Sequence, residues 1–258
     1  DEEESPRIDV EDESTLFIID VPVPQEDPSG RLYGTIPIGI IIAKEAIISI
    51  CTKDVKILTD LIKGRMKGFY TYKKTRIILQ IMYKVATYFL LYLKQIDRVS
   101  VQVERELHKS MKNKELIQLL SLEKSLVYFT TSLRANEMVF EKMLRLDAVK
   151  KYQDDKELLE DVIIENKQAI EMANIYSNIL SGTMDAFASV ISNNLNIVMK
   201  VLTSITIVMA IPTIIASLFG MNVPVPFAAN PMGFWIIIFI ASVMSFLAAL
   251  VMVKKQLF

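Results

Sequence analysis

The pattern of apolar and polar positions divides the chain sharply near residue 200. Two uncharged apolar stretches, Val201 to Phe219 and Phe234 to Val253, lie close to the C-terminus. Each is about as long as the ~20 residues a helix needs to cross the hydrocarbon of a bilayer. Upstream the pattern is that of long helices in water. No glycine falls between Tyr72 and Gly182 and no proline before Pro212, and the interval is rich in Leu, Lys, Glu and Gln, all good helix formers. Three helices are expected there. The first runs from Lys74 to about Met111. The second starts near Lys114 and carries Leu119, Leu122, Leu126, Phe129 and Leu133 in alternating steps of three and four, a stripe to be buried. The third begins near Asp154 and meets no forced break before the first apolar stretch, so a helix of roughly 100 Å is expected. Gly182 costs it about 1 kcal/mol against alanine, which packing offsets. A helix of that length needs bundling, here with copies from other subunits.

The N-terminal part reads differently. Thr15 to Ile19, Ile36 to Ile42 and Ala46 to Ile50 are short, rich in β-branched residues and separated by turn signals at Pro28-Ser29-Gly30 and Lys44-Glu45. Three or more antiparallel strands are expected. Asp54 is expected to cap a short helix through Ile62, ended by Gly64. These elements make a small α+β unit. The chain opens at Asp1 in an acidic stretch without a methionine, and is read as N-terminally truncated, with strands missing from the sheet. The expected domains are residues 1–72 (α/β), 73–196 (helical, with a stalk helix) and 197–258 (two spans, about 197–219 and 234–253).

Projected by steps of three and four, the third helix gathers Asn196, Met199, Thr203, Thr206, Ala210, Thr213 and Ser217 on one polar or small face. The other faces carry Val201, Ile205, Ile207, Val208, Ile211, Ile214, Ile215 and Leu218. Two explanations compete. Small and hydroxylated residues let membrane helices approach and hydrogen-bond across a dry interface, and they also line aqueous pores. Gly220-Met221-Asn222 at the end of the stretch favours the pore, because a narrow mouth of neutral oxygens suits a hard cation that keeps its water. Magnesium dehydrates reluctantly, so carbonyl dipoles can hold it hydrated without trapping it. In this picture Gly220 ends the helix in a left-handed conformation, Met221 packs behind the turn and Asn222 points its amide oxygen at the ion path.

Composition narrows the alternatives. The chain is 52% hydrophobic with a net charge of -1, and its charges are mixed along helices rather than massed, which argues against nucleic acid. A single cysteine, Cys51, and a single histidine, His108, leave no disulfide, no paired-cysteine zinc site and no Ser-His relay. Cys51 reads as a small apolar residue at a strand end and His108 as part of an exposed helix face. No nucleophile and base pair or phosphate-binding glycine loop is found, so the chain is not read as an enzyme and no organic cofactor is expected. Lys200, Lys254 and Lys255 flank the spans, whereas the loop Asn222 to Gly233 carries no basic residue. Both termini are therefore expected in the cytoplasm and the loop outside.

On Gly220-Met221-Asn222 after the first of two C-terminal spans, on Val198-Met199-Lys200-Val201-Leu202-Thr203 entering the membrane, and on the opening Pro6-Arg7-Ile8-Asp9-Val10-Glu11-Asp12, the chain resembles the CorA family of magnesium channels. The resemblance covers essentially the whole chain. It implies a homopentamer in the cell (inner) membrane, with a cytoplasmic αβα funnel and one long stalk helix per subunit lining the pore. It places the ion path on Asn222, Gly220, Thr213, Ala210, Thr206, Thr203, Leu202, Met199 and Asn196. The implied activity is passive passage of Mg2+, with cobalt or nickel as further ions, gated by cytoplasmic Mg2+ that bridges subunits. Asp185 and Asp161 match regulatory positions, with Asp20 or Asp27 as an N-terminal partner.

Three features depart from common family patterns. Ala210 stands where many members have a bulky methionine, which shifts narrowing to Leu202 and Met199. Phe219 replaces a frequent tyrosine. The loop Val223 to Gly233 has no acidic residue, weakening cation enrichment at the mouth. Phe234 and Trp235 suit an interfacial aromatic belt. The alternative within the same two-span plan is a proton-coupled zinc transporter of the ZntB type. A membrane-anchored assembly without conduction is a third.

Overall fold

The computed structural model describes residues 4–11, 14–25, 32–65, 72–110, 113–226 and 230–255. They form two compact units, 1–185 and 186–258. In the first, four antiparallel strands lie in sequence order: β1 (Arg7–Val10), β2 (Ser14–Pro24), β3 (Tyr33–Ala43) and β4 (Ile47–Cys51). Helices α1 (Lys56–Ile62), α2 (Lys74–Ser110), α3 (Asn113–Met143) and α4 (Asp147–Lys150) follow, then α5 (Gln153–Phe219) and α6 (Gly233–Lys254). The α+β class and the long helices are as expected. Cys51 closes β4 and His108 is exposed on α2. The turn signal Pro28-Ser29-Gly30, Asp12 and Met111 lie outside the described residues.

Alternation explains the sheet. Phe17, Ile19, Val21 and Val23 pair with Ile40, Ile38, Ile36 and Gly34, so these apolar residues share one face of the pleat, and each is at most 7% exposed. Three prolines sit in β2 and β3 without breaking the ladder. Gln25 N–H bonds Leu32 C=O, which makes the odd residues of β2 the ones hydrogen-bonded to β3 and turns the backbone polar groups of Asp20, Pro22 and Pro24 away from it. Their partners Pro37, Thr35 and Tyr33 likewise face outward. Each proline thus lacks an N–H only where neither β1, which pairs no further than Ile18, nor β4, which pairs from Ile38, would use it.

Helix α3 supplies the missing partners at those edges. The Asn136 amide accepts from Asp20 N–H and donates to Asp20 C=O, both at 2.8 Å. Tyr33 N–H donates to Ser125 Oγ at 3.2 Å. The five residues of the expected apolar stripe, Leu119 to Leu133, are all 0% exposed. Phe129 meets Phe89 of α2 edge to face, with ring centroids 5.1 Å apart. Asn166 of α5 donates to Leu133 C=O at 3.0 Å, tying α5 to α3.

Two local expectations change. The N-cap of α1 is Val55, with no side-chain capping bond, rather than Asp54. The helix still ends at Gly64, whose φ of 65° is the left-handed conformation that glycine tolerates. β1 was not foreseen, because Arg7-Ile8-Asp9-Val10 alternates charged and apolar residues over only four positions, too short a run to stand out.

Among the described residues three helices are long and apolar enough to cross a membrane, but the apolar window of α2 is 61% buried in the protein, against 6% for α5 and 0% for α6. α2 is therefore a core helix of the first unit. In the second unit, burial traces one stripe on each helix: Val201, Ser204, Val208, Ile211, Ile215 and Phe219 on α5, and Ile237, Ala241, Ser245, Ala249 and Met252 on α6. The small residues of α6 at steps of four allow close approach. α5 stays helical through Pro212, which leaves the Val208 carbonyl without its i+4 donor.

Candidate functional site

The polar face of α5 lies roughly opposite its covered stripe, given 3.6 residues per turn. Asn196, Met199, Leu202, Thr203, Thr206, Thr213 and Ser217 are exposed and Ala210 is half-buried. Within the chain, then, this face is not the covered one. Thr206 donates its hydroxyl proton to Leu202 C=O at 2.8 Å and Thr213 to Met209 C=O at 3.1 Å. Each hydroxyl thereby satisfies its donor inside the helix and presents only oxygen lone pairs outward.

At the end of the helix the chain corrects one expectation. Gly220 does not adopt a left-handed conformation; among the described glycines only Gly64 has positive φ. Gly220 N–H instead bonds Ala216 C=O at 2.9 Å, and a Cβ at this position would lie 3.2 Å from that same oxygen and 3.7 Å from Ser217 C=O. A side chain at this position would crowd the last helical carbonyls only slightly, so the conformation does not itself require glycine. Met221 is 53% exposed, so within one chain it does not pack behind the turn as expected. Asn222 is exposed at the start of the loop. Beyond it Phe234 and Trp235 meet edge to face at 5.6 Å, both about two-thirds exposed, at the first turn of α6.

Asp161 and Asp185 are exposed on α5. Twenty-four residues separate them, which is about 36 Å along a helix, so one chain cannot bring both to one ion. No group of three or more His, Cys, Asp or Glu side chains is placed to hold a metal among the described residues. Asp20 lies in β2, remote in sequence from both, and Asp27 lies outside the described residues. Burial pushes the Asp20 carboxyl up from its ordinary value, with a hydrogen bond from Ser132 opposing the shift.

Sequence reasoning missed the surroundings of Asp20. A signal was present: an aspartate inside the apolar run Ile18-Ile19-Asp20-Val21, and Ser125, Ser132 and Asn136 on the buried side of α3. Buried polar residues on a helix face require partners, and a polar residue in a strand core is the natural one.

Two apolar helices left uncovered, in a chain whose other helices and strands enclose a buried core, define a two-span membrane protein. Comparison with known proteins specifies it. The family model described as CorA-like Mg2+ transporter protein matches residues 1–255, and the chain belongs to that family. The cobalt/magnesium transport protein CorA of Methanocaldococcus jannaschii is 29% identical over 272 residues, covering 100% of this chain and 80% of the relative. The complete structure of the CorA magnesium transporter from that organism superposes with a TM-score of 0.84 at 26% identity, over 97% of this chain and 79% of the other. The ZntB cytoplasmic domain of Vibrio parahaemolyticus gives a TM-score of 0.55 at 14% identity, over 74% of each chain, a likeness of fold alone. The family is one of membrane transporters, not enzymes.

Proposed function

We propose that the protein is a passive channel for hydrated Mg2+, with cobalt or nickel as further permeant ions. The observation that carries this reading is the outward polar face of α5, from Asn196 to Ser217, opposite its covered stripe and leading to Asn222. Five copies around an axis would bring these faces together as a pore, with Asn222 amides ringing its outer mouth and Leu202 and Met199 narrowing its inner part. The hydroxyls of Thr206 and Thr213 already present acceptor oxygens, which suits an ion held through its water shell. Lys200, Lys254 and Lys255 support a cytoplasmic position for both termini. Residues 1–72 and 73–196 then form the cytoplasmic part and 197–258 the membrane part. Cytoplasmic Mg2+ closes the channel by bridging Asp185 and Asp161 to acidic groups of neighbouring subunits, since a divalent ion relieves repulsion between carboxylates.

The zinc alternative requires proton coupling, yet no titratable residue stands on the α5 face between Asn196 and Ser217. Uptake in a magnesium-requiring strain tests the channel. Asn222→Ala is expected to abolish discrimination between Mg2+ and other ions or to stop growth at low magnesium. Unaltered uptake and selectivity in that variant would remove Asn222 from the mechanism, and flux that follows a pH gradient would favour the zinc transporter.

A further inference from the structure

In the first unit a cavity of about 550 Å3 opens where the first turns of α2 and α5 meet beside α4. Its lining includes Tyr72, Lys73, Lys74, Arg76, Lys151 and Tyr152, with Asp154 and Asp155 on the α5 side. We propose that this cavity binds a nucleoside di- or triphosphate, with Lys73, Lys151 and Arg76 holding the phosphates and Tyr152 stacking on the base.

The placement of charge carries the argument. From Lys63 to Arg76 the chain has six basic residues and no acidic one, a massed run in a chain whose charges are otherwise mixed. The run ends in the first turn of α2, which holds no acid, although the positive end of a helix dipole favours acids and disfavours cations. α5 follows that rule with Asp154 and Asp155 in its own first turn. Side-chain pairing only partly relieves the cations of α2. Arg76 reaches Asp155 at 3.3 Å and Asp154 at 3.7 Å, both through Nη1, which leaves Nε and Nη2 for another acceptor. Lys74 Nζ donates to the neutral carbonyls of Ala43 and Lys44, at 2.8 and 2.5 Å. Among the described residues Lys73 and Lys151 have no carboxylate partner, and Lys151 Nζ lies over the Tyr152 ring, 5.6 Å from its centroid. A phosphate chain would supply the missing negative charge. Asp154 and Asp155 repel it from the α5 side and so direct it toward Lys73 and Lys151.

Size and the aromatic rim select among anions. The volume falls within the range of about 300–1,000 Å3 usual for small-molecule sites, which suits a compact polyanion rather than a nucleic-acid strand. Tyr72 and Tyr152 are 73% and 58% exposed, and an aromatic ring beside cations takes a base and its phosphates together. Lipid headgroups are a poorer source of phosphate, since α5 starts at this cavity and meets its apolar stretch only at Val201.

Metal-free ADP is the probe, with EDTA present so that no divalent ion contributes. Calorimetric titration of the detergent-solubilised full chain should show one ADP bound per chain. Lys73→Ala with Lys151→Ala should weaken it about tenfold or more, whereas Lys73→Arg with Lys151→Arg, which keeps the charge, should retain most of the affinity. Tyr152→Ala should weaken ADP several-fold and leave inorganic pyrophosphate unchanged. No ADP bound, an unaltered affinity in the double alanine variant, or pyrophosphate bound as tightly as ADP overturns the proposal. Displacement of ADP by short-chain phosphatidylglycerol would assign the cavity to lipid headgroups and overturn it too. Both lysines are exposed, so the variants are expected to fold; should the double alanine variant fail to, Tyr152→Ala decides, and an unchanged ADP affinity there overturns the site. No readout involves transport, so failure here and failure of the channel reading are separable.

Discussion

Helices α2 and α6 are both apolar enough to cross a membrane, yet 61% of one apolar window is buried in protein and none of the other. The difference lies in where charge falls. α2 carries Lys84, Lys94, Asp97 and Arg98 on the turns between its apolar positions, so it has one face for a core and another for water. α6 is apolar all round until Lys254 and has no face for water. Length and hydropathy do not separate the two; the distribution of charge around the axis does. The sharpest test pairs Phe89→Ala in α2 with Phe239→Ala in α6. Phe89 is 0% exposed and Phe239 is 70% exposed. The first should cost about 3–5 kcal/mol and lower the melting temperature severely, whereas the second should leave the melt of the solubilised protein nearly unchanged. Equal losses would mean that α6 is enclosed by protein in the assembly and that the contrast is only one of a single chain.

Particular polar side chains of the two units are satisfied in different ways. Asn136 bonds across to another element, while Thr206 and Thr213 bond their own helix. Removing Asn136 strands a backbone donor and an acceptor at the β2 edge, each worth about 1–3 kcal/mol when buried. Asn136→Ala should therefore destabilise the first unit by about 2 kcal/mol, with loss of hydrogen-exchange protection at Asp20. Thr206→Val should leave stability unchanged and alter transport alone. A thermal melt and an uptake assay on both variants check the contrast.

A smaller effect is expected at Asp20. Its folded-state pKa is raised, chiefly by burial, so its contribution to stability is complete below the unfolded carboxylate pKa of about 3.9 and is lost as pH rises through the folded value. In buffer free of divalent ions, Asp20→Asn should raise the melting temperature at neutral pH and flatten this acid-range dependence. A variant that melts lower at neutral pH would contradict the assigned direction.

Much of the fold was legible because its signals are periodic. The α3 stripe and the uninterrupted α5 follow from spacing alone, since steps of three and four leave few other ways to bury Leu119 through Leu133. The polar face of α5 was legible for the same reason. What spacing could not show was chain geometry at single points. Gly220 looks like a left-handed cap in sequence, as glycines after helices commonly are, but it instead continues the helical hydrogen bonding to Ala216 C=O. Asp54 looks like a cap, and the chain starts its helix one residue later with Val55. The bond between β2 and α3 at Asp20 joins residues 116 positions apart in sequence, a pairing that no local pattern announces.

The smallest expected effect bears on the part of α5 near the end of the first unit. Gly182 is exposed inside the helix, and a Cβ there would meet nothing within 4 Å. Glycine in a helix interior is destabilising by roughly 0.5–1 kcal/mol relative to alanine. Gly182→Ala should therefore stabilise a helix whose surroundings at this turn are open, seen as a small rise in melting temperature. The single chain gives no packing reason for glycine at this position. A fall in melting temperature would locate a close approach between copies of α5 at this turn, because only a neighbouring chain could fill the space that the added methyl enters.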